Sequence, residues 1–185
     1  MIKKVCDKIW KVSADSNVYF LDFDEKIVID TGNRAQHNII EQFLSKVVDF
    51  DKVEKVVFTH LHYDHIGNFD FFPNAKFYAS QQEIDDFKKD PLGTVLREDI
   101  AKMFTVELHP IRYLNKLEII NTPGHTRGSI CLWYEKEKLL FSGDTIFKKG
   151  SGRTDLPTSD PKKQRESMIK LLNYNYKILC PGHDY

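Results

Sequence analysis

Apolar and polar residues alternate along the first thirty positions. The runs Val5–Val12, Asn17–Phe23 and Lys26–Asp30 read as strands, separated by the turn-prone Ser13-Ala14-Asp15-Ser16 and Asp24-Glu25. Asp30-Thr31-Gly32 then breaks the strand pattern, and Ile39, Ile40, Phe43, Leu44 and Val47 recur at helical spacing, which predicts a helix over 35–47. Lys55–Phe58 is a short apolar run, read as a buried strand ending at Thr59. Phe77–Ser80 predicts another strand and Gln81–Lys89 a helix halted by Asp90-Pro91. Later strands are predicted over Lys116–Thr122, Ser129–Tyr134, Lys138–Ser142 and Tyr176–Cys180. A last helix is predicted over Pro161–Leu172, with Ser159 or Asp160 as its cap and Pro161 in its first turn. Strands dominate each half, helices interrupt them, and both sheet faces need cover. That favours a layered α/β (α+β) sandwich over one doubly wound sheet. No repeat, low-complexity tract or long linker divides the 185 residues, so a single domain over 1–185 is expected.

Charge narrows the partners. The 27 basic and 27 acidic residues balance, which removes the usual electrostatic argument for a nucleic-acid or anionic-membrane partner. No apolar run approaches the roughly 18 to 20 residues needed to span a bilayer. The stretch Met1–Trp10 carries charges where a signal peptide needs a continuous apolar region, so a cytoplasmic location is expected. Cys6, Cys131 and Cys180 are odd in number and far apart, which predicts reduced, mostly buried thiols rather than a disulfide framework.

Chemistry concentrates after the run Lys55–Phe58. In Thr59-His60-Leu61-His62-Tyr63-Asp64-His65-Ile66-Gly67-Asn68, three histidines and one aspartate fall within six positions. Neutral imidazole and carboxylate are the ligands that Zn²⁺, Fe²⁺ or Mn²⁺ prefer. A polar surface loop and a closed structural metal site are the alternatives on this segment alone. A catalytic site leaves a position open for water and draws ligands from several loops. His125 in Thr122-Pro-Gly-His125 and His183 in Cys180-Pro-Gly-His183 each follow a predicted strand, as does Asp144 in Phe141-Ser-Gly-Asp144. Two Pro-Gly-His turns able to aim an imidazole across strand ends, with Ser-Gly-Asp beside them, point to a distributed site.

The chain resembles the metallo-β-lactamase superfamily over essentially all its length. The resemblance rests on Ile29-Asp-Thr-Gly32, Thr59-His-Leu-His-Tyr-Asp-His65, Thr122-Pro-Gly-His125, Ser142-Gly-Asp-Thr145 and Pro181-Gly-His183. It implies a four-layer αββα sandwich with two metal ions at one edge between the sheets. It also implies that His60, His62 and His125 bind the first ion, that Asp64, His65 and His183 bind the second, and that Asp144 bridges them. Asp30 matches an acidic position that supports the ligand loop. The run Gly143-Asp-Thr-Ile-Phe147 with Gly150-Ser-Gly-Arg-Thr-Asp-Leu-Pro157 is similar to the glyoxalase II (hydroxyacylglutathione hydrolase) thioesterases, their short relatives and the iron persulfide dioxygenases. Glyoxalase II proper holds glutathione with a further C-terminal helical region, whereas this sequence ends two residues after His183. One basic residue of that glutathione site has a counterpart in Arg153, and the nearby family tyrosine is replaced by Asp155.

The resemblance implies a zinc-dependent hydrolase, with iron or manganese as alternative metals. Two neighbouring cations lower the pKa of a shared water from about 15.7 to near 7, so hydroxide is the expected nucleophile. Asp64 is expected to orient it as well as to bind metal, with Asp144 sharing the catalytic role. No dedicated general acid stands out, which favours a thioester, because a thiolate of conjugate pKa near 8.5 leaves without prior protonation. Tyr63, Lys148 and Arg153 are the expected substrate contacts, with Lys149 a further candidate. A mononuclear iron dioxygenase on His60, His125 and Asp144, a metal-dependent nuclease and an inactive metal protein are the competing readings.

Overall fold

The early alternation resolves onto two faces of one sheet. In the computed structural model, which describes residues 1–185, β1 (Ile2–Cys6), β2 (Ile9–Ser13), β3 (Asn17–Asp22) and β4 (Lys26–Ile29) form an antiparallel meander. The run Val5–Val12, expected as one strand, is two. Asp7-Lys8 turns the chain, with Lys8 in the left-handed region at φ 61°. The apolar pattern passes through the turn unbroken because Val5 and Ile9 lie against the same core.

Beyond β4 the sheet continues in parallel through β5 (Lys55–Val57), β6 (Lys76–Ala79) and β7 (Leu108–Pro110), giving seven strands in sequential order. The connections carry α1 (His37–Leu44), the single turn α2 (Tyr63–Ile66), α3 (Gln81–Lys89), α4 (Pro91–Val95) and α5 (Glu98–Met103). A second sheet of four strands follows: β8 (Glu118–Asn121), β9 (Ile130–Tyr134), β10 (Leu139–Gly143) and β11 (Ile178–Pro181), in the order β11-β10-β9-β8. The parallel pair β10 and β11 is joined through α6 (Pro161–Leu171).

Three apolar clusters correspond to the three interfaces of a four-layer αββα sandwich. Tyr19, Leu21, Ile27 and Ile29 of the first sheet meet Leu132, Leu139 and Phe141 of the second between the sheets. On the opposite face of the first sheet, Phe20, Val28 and Val56 are covered by Ile40, Leu44, Ile84 and Ile100 from the helices. The outer face of the second sheet, with Ile120, Cys131 and Trp133, receives Leu171 of α6. The alternation of strands with period two is what sends neighbouring side chains to different layers.

Helix ends follow local chemistry. The Ser80 hydroxyl accepts from the Glu83 amide at 3.2 Å, so α3 occupies the predicted Gln81–Lys89. Asp160 accepts from the Lys163 amide at 3.0 Å and starts α6 with Pro161 in its first turn. The helix expected over 35–47 is regular only across His37–Leu44. No helix is long and apolar enough to cross a membrane.

Cys131 and Cys180 are buried and Cys6 is half-buried; all three are free thiols. Burial pushes the Cys131 thiol up to about 11 and that of Cys180 up to about 12. Two outcomes are expected. Labelling of native protein with a thiol-specific reagent at pH 8 modifies Cys6 first, slowly because burial raises its thiol as well, and the other two only after denaturation. Three thiols labelled together would contradict this burial. Phe141→Ala, which empties a site 1% exposed between the sheets and edge-on to Tyr19 at 5.2 Å, costs about 3–5 kcal/mol in denaturant unfolding. Ile169→Ala, 58% exposed on α6, costs under about 0.5 kcal/mol.

Candidate metal centre

Strand ends from both sheets supply the chemistry. Asp30 follows β4, the segment His60–His65 follows β5, and His125, Asp144 and His183 follow β8, β10 and β11. The two sheets are tied together at this edge by the Ile130 amide, which donates to the Thr59 carbonyl at 3.0 Å. Three groups of side chains converge there: His60, His62 and His125; Asp64, His65 and His183; and Asp144 with His60 and His65. Within each group the potential donor atoms lie within 4.8 Å of one another. All seven sequence-derived residues therefore meet at one place.

Hydrogen bonds on the far side of each ring fix which nitrogen faces inward. Nδ1 of His125 lies 2.8 Å from the Arg153 carbonyl, and Nδ1 of His183 lies 2.8 Å from the Asp15 carbonyl. A carbonyl only accepts, so both Nδ1 atoms carry a proton and both Nε2 atoms are the ones turned toward the cluster. His65 is set likewise, its Nδ1 donating to Asp30 Oδ2 at 2.9 Å. Nε2 of His125 lies 2.9 Å from Nδ1 of His62. Asp144 sits among these rings, with Oδ1 3.3 Å from His65 Nε2 and Oδ2 3.5 Å from Nε2 of both His125 and His183. Asp64 Oδ2 is 3.3 Å from His183 Nε2.

Several of these atoms are buried without a hydrogen-bond partner: Nε2 of His60, His62 and His65, and Oδ1 of Asp144. Leaving such a group unpaired costs about 1–3 kcal/mol each. A set of inward lone pairs and carboxylate oxygens is what a pair of divalent cations would satisfy, so the residues present fit a two-metal site. Gly182 makes room for it. A Cβ there would lie 2.1 Å from Asp144 Oδ1 and 2.8 Å from His65 Cε1.

The electrostatics divide the centre. Burial holds His60 well below the usual imidazole range, drops His62 to about 3 and lowers His125. These rings are neutral, as ligands must be. Burial also opposes charge on His65, but Asp144, Asp30 and Asp64 outweigh it and lift His65 well above its ordinary value. At His183 burial is again outweighed, here by hydrogen bonds to Asp144 and Asp64, which raise it to about 10. The carboxylate side thus attracts positive charge, proton or metal ion alike. Asp64 and Asp144 are pushed up by burial, yet the surrounding imidazoles win and keep both low and ionised.

Asp30 lies beneath the His60–His65 segment. It accepts from the Thr59 amide and hydroxyl, both at 2.8 Å, as well as from His65. It sits at φ 55°, a left-handed conformation rare outside glycine, which aims its side chain under the loop. Thr31 extends the clamp, its amide and hydroxyl donating to the His65 carbonyl at 2.6 and 3.1 Å.

A cavity of about 490 Å³ opens onto the cluster. Tyr63 and Arg153 line it; Lys148 does not, and its neighbour Lys149 takes that place. Phe147 turns into the cavity after β10 and leaves Lys148 exposed outside. The Arg153 guanidinium is bidentate with Asp155 at 3.0 and 2.9 Å, while its backbone carbonyl holds His125. Sequence reasoning missed Asp15, whose carbonyl orients His183, and the wall residues Leu96 and Tyr185. The Tyr185 ring stacks 5.1 Å from His183 and meets Phe147 edge-on at 5.3 Å, and no spacing in the chain announces it.

A two-sheet sandwich with histidines and carboxylates gathered at one edge under an open cavity is a scaffold suited to holding metal ions. The chain belongs to the metallo-beta-lactamase superfamily, whose model matches residues 14–183. It is 33% identical over 188 residues to a protein of Methanocaldococcus jannaschii named "Probable metallo-hydrolase", covering 91% of this chain and 87% of that one. It is 31% identical over 179 residues to a hydroxyacylglutathione hydrolase of Francisella tularensis subsp. novicida, covering 91% of this chain but only 63% of that protein. The fold is also that of a metallo-beta-lactamase family protein from Thermus thermophilus, with TM-score 0.78 and 20% identity over 98% of this chain and 75% of the other.

Replacing Asp30 with Asn leaves one acceptor oxygen where two served the Thr59 amide, the Thr59 hydroxyl and His65 Nδ1, so one side of the support becomes donor against donor. Metal affinity measured by chelator competition is expected to fall about 10- to 100-fold. An unchanged affinity would contradict the support assigned to Asp30.

Proposed function

We propose that this protein is a binuclear metal-dependent hydrolase that cleaves a thioester. The observation that carries the reading is the cavity itself, which ends on Asp64, Asp144, His62, His125 and His183 and is walled by Tyr63, Leu96, Phe147 and Leu156. An apolar wall above a charged floor suits a small acyl substrate whose carbonyl must reach the floor. Similarity to hydroxyacylglutathione hydrolases supports the thioester class. Three free thiols are in keeping with a reducing, cytoplasmic setting, and the balanced charge with a small-molecule rather than a nucleic-acid partner.

His60, His62 and His125 would hold one ion and Asp64, His65 and His183 the other, with Asp144 shared. Zinc is the first choice and iron or manganese the alternatives. When bound, such a pair supplies Lewis acidity and brings a water's pKa to near 7. The chain's own residues do the rest. Asp64 keeps one oxygen near His183 and, 15% exposed at the side chain, lines the cavity, where it accepts a hydrogen bond from the attacking water and orients it. The water's proton passes to solvent, because so depressed a carboxylate stays ionised. Addition of the oxygen to the substrate carbonyl carbon is followed by breakage of the C–S bond. The sulfur departs with the bond electrons as thiolate, which needs no acid at neutral pH. Tyr63, Lys149 and the exposed Arg153 stand where the polar part of the substrate would lie.

The test is a screen of S-lactoylglutathione against other acyl thioesters, with metal content measured on the same batch. Turnover with two ions per chain, lost on chelation and restored by metal, is expected. Asp64→Asn is expected to lower kcat by about 10²- to 10⁴-fold. One iron per chain with oxygen uptake on a persulfide, or no cleavage of any thioester or ester at full metal loading, would overturn the reading.

A further inference from the structure

Glu83 is a carboxylate with no exposure at all, on the first turn of α3, and the hydrolytic mechanism above makes no use of it. A lone buried charge is costly unless every lone pair finds a donor. Here Oε2 accepts from the Leu61 amide at 2.9 Å, and Oε1 accepts from the Gly128 amide at 3.1 Å and from the Thr126 hydroxyl. No lysine or arginine neutralises it, since Arg127 of the same loop is bidentate with Asp86 instead, at 2.8 and 3.1 Å. All three donors are backbone or hydroxyl groups beside the candidate ligands. Leu61 stands between His60 and His62, and Thr126 follows His125.

We propose that Glu83 is a positioning residue for the three-histidine half of the centre, a buried strut that sets the His60–His62 segment against the loop carrying His125. The segments are 22 and 45 positions away from it in sequence, and charge-assisted bonds to one carboxylate hold them at fixed separation. The arrangement parallels Asp30, which also accepts three bonds and supports His65 in the other half. Two buried carboxylates thus stand under the two halves. Gly128 allows the close approach, because a Cβ there would lie 2.5 Å from the Glu83 amide. A packing role alone would call for an apolar side chain of the same size, which fills the volume without the cost of charge.

This inference rests on the two-metal reading, and its test reads metal rather than turnover. Cobalt-loaded wild-type protein and Glu83→Gln are compared by stoichiometry, chelator competition and visible absorption. The amide of Gln presents N–H toward either Leu61 or Gly128, so one contact becomes donor against donor. One of two ions is expected to bind about 10- to 100-fold more weakly, with an altered cobalt spectrum, while the other keeps its wild-type affinity. Asp86→Asn, which loosens the Arg127 pair and the Gln82 contact but leaves the Glu83 bonds in place, is expected to stay within about threefold on both. If Glu83→Gln does not fold, Thr126→Val against Thr126→Ser decides. The valine withdraws one donor and weakens the same ion, and the serine restores it. Two ions bound at wild-type affinity with an unchanged spectrum in Glu83→Gln, or in Thr126→Val, overturn the inference and leave the hydrolase reading standing. A wild type that binds no ion overturns both.

Discussion

Everything at this site follows from the burial of opposed electron pairs. Imidazole nitrogens and carboxylate oxygens face one another at the sheet edge, several with no hydrogen-bond partner. Such a cluster is costly in a dry interior unless positive charge occupies its centre. The fold does not relieve the cost by adding donors. The second nitrogens of His125, His183 and His65 are tied off on the far side, by the Arg153 and Asp15 carbonyls and by Asp30, so that the other nitrogen of each ring is turned into the cluster.

The sandwich makes this possible because strand ends can be aimed without disturbing strand interiors. Alternate residues of β3, β4, β9 and β10 build the inner core, and the chemistry begins within a few residues of where a strand stops. Rigid strands therefore hold loops whose contents can be almost wholly functional. The sheets meet through the Ile130 amide and Thr59 carbonyl next to His60, so inter-sheet packing and site geometry are mechanically joined. Positive φ at Asp30 and the crowded Gly182 show where backbone conformation yields to the site.

Much of this was legible in the chain, for physical reasons that also explain what was not. Gln81–Lys89 was readable because an Asp-Pro pair stops it, and the structure adds the Ser80 cap at its start. The seven converging residues were readable because imidazole and carboxylate at close spacing after a strand have few other uses. The turn at Asp7-Lys8 was hidden because the apolar alternation continues through a hairpin whose strands share a face. The short α4 and α5 were missed because each buries only one or two side chains, among them Thr94, Val95 and Ile100. Contacts made by backbone carbonyls, such as Asp15 and Arg153 toward the rings, leave no mark on residue type. Lys148 and Lys149 are indistinguishable in sequence, and only the path of the loop decides that Lys149 lines the cavity. Glu83 reads from sequence as one more polar helix residue, and only its burial beneath two distant loops reveals its place.

Anomalous diffraction from crystals of the metal-loaded protein, collected at the absorption edge of the bound element, tests the central claim most directly. The account predicts two peaks at the strand ends, one flanked by His60, His62 and His125, the other by Asp64, His65 and His183, with Asp144 between them. Absence of any peak there, or rings of His125 and His183 turned outward in the loaded crystal, would contradict it.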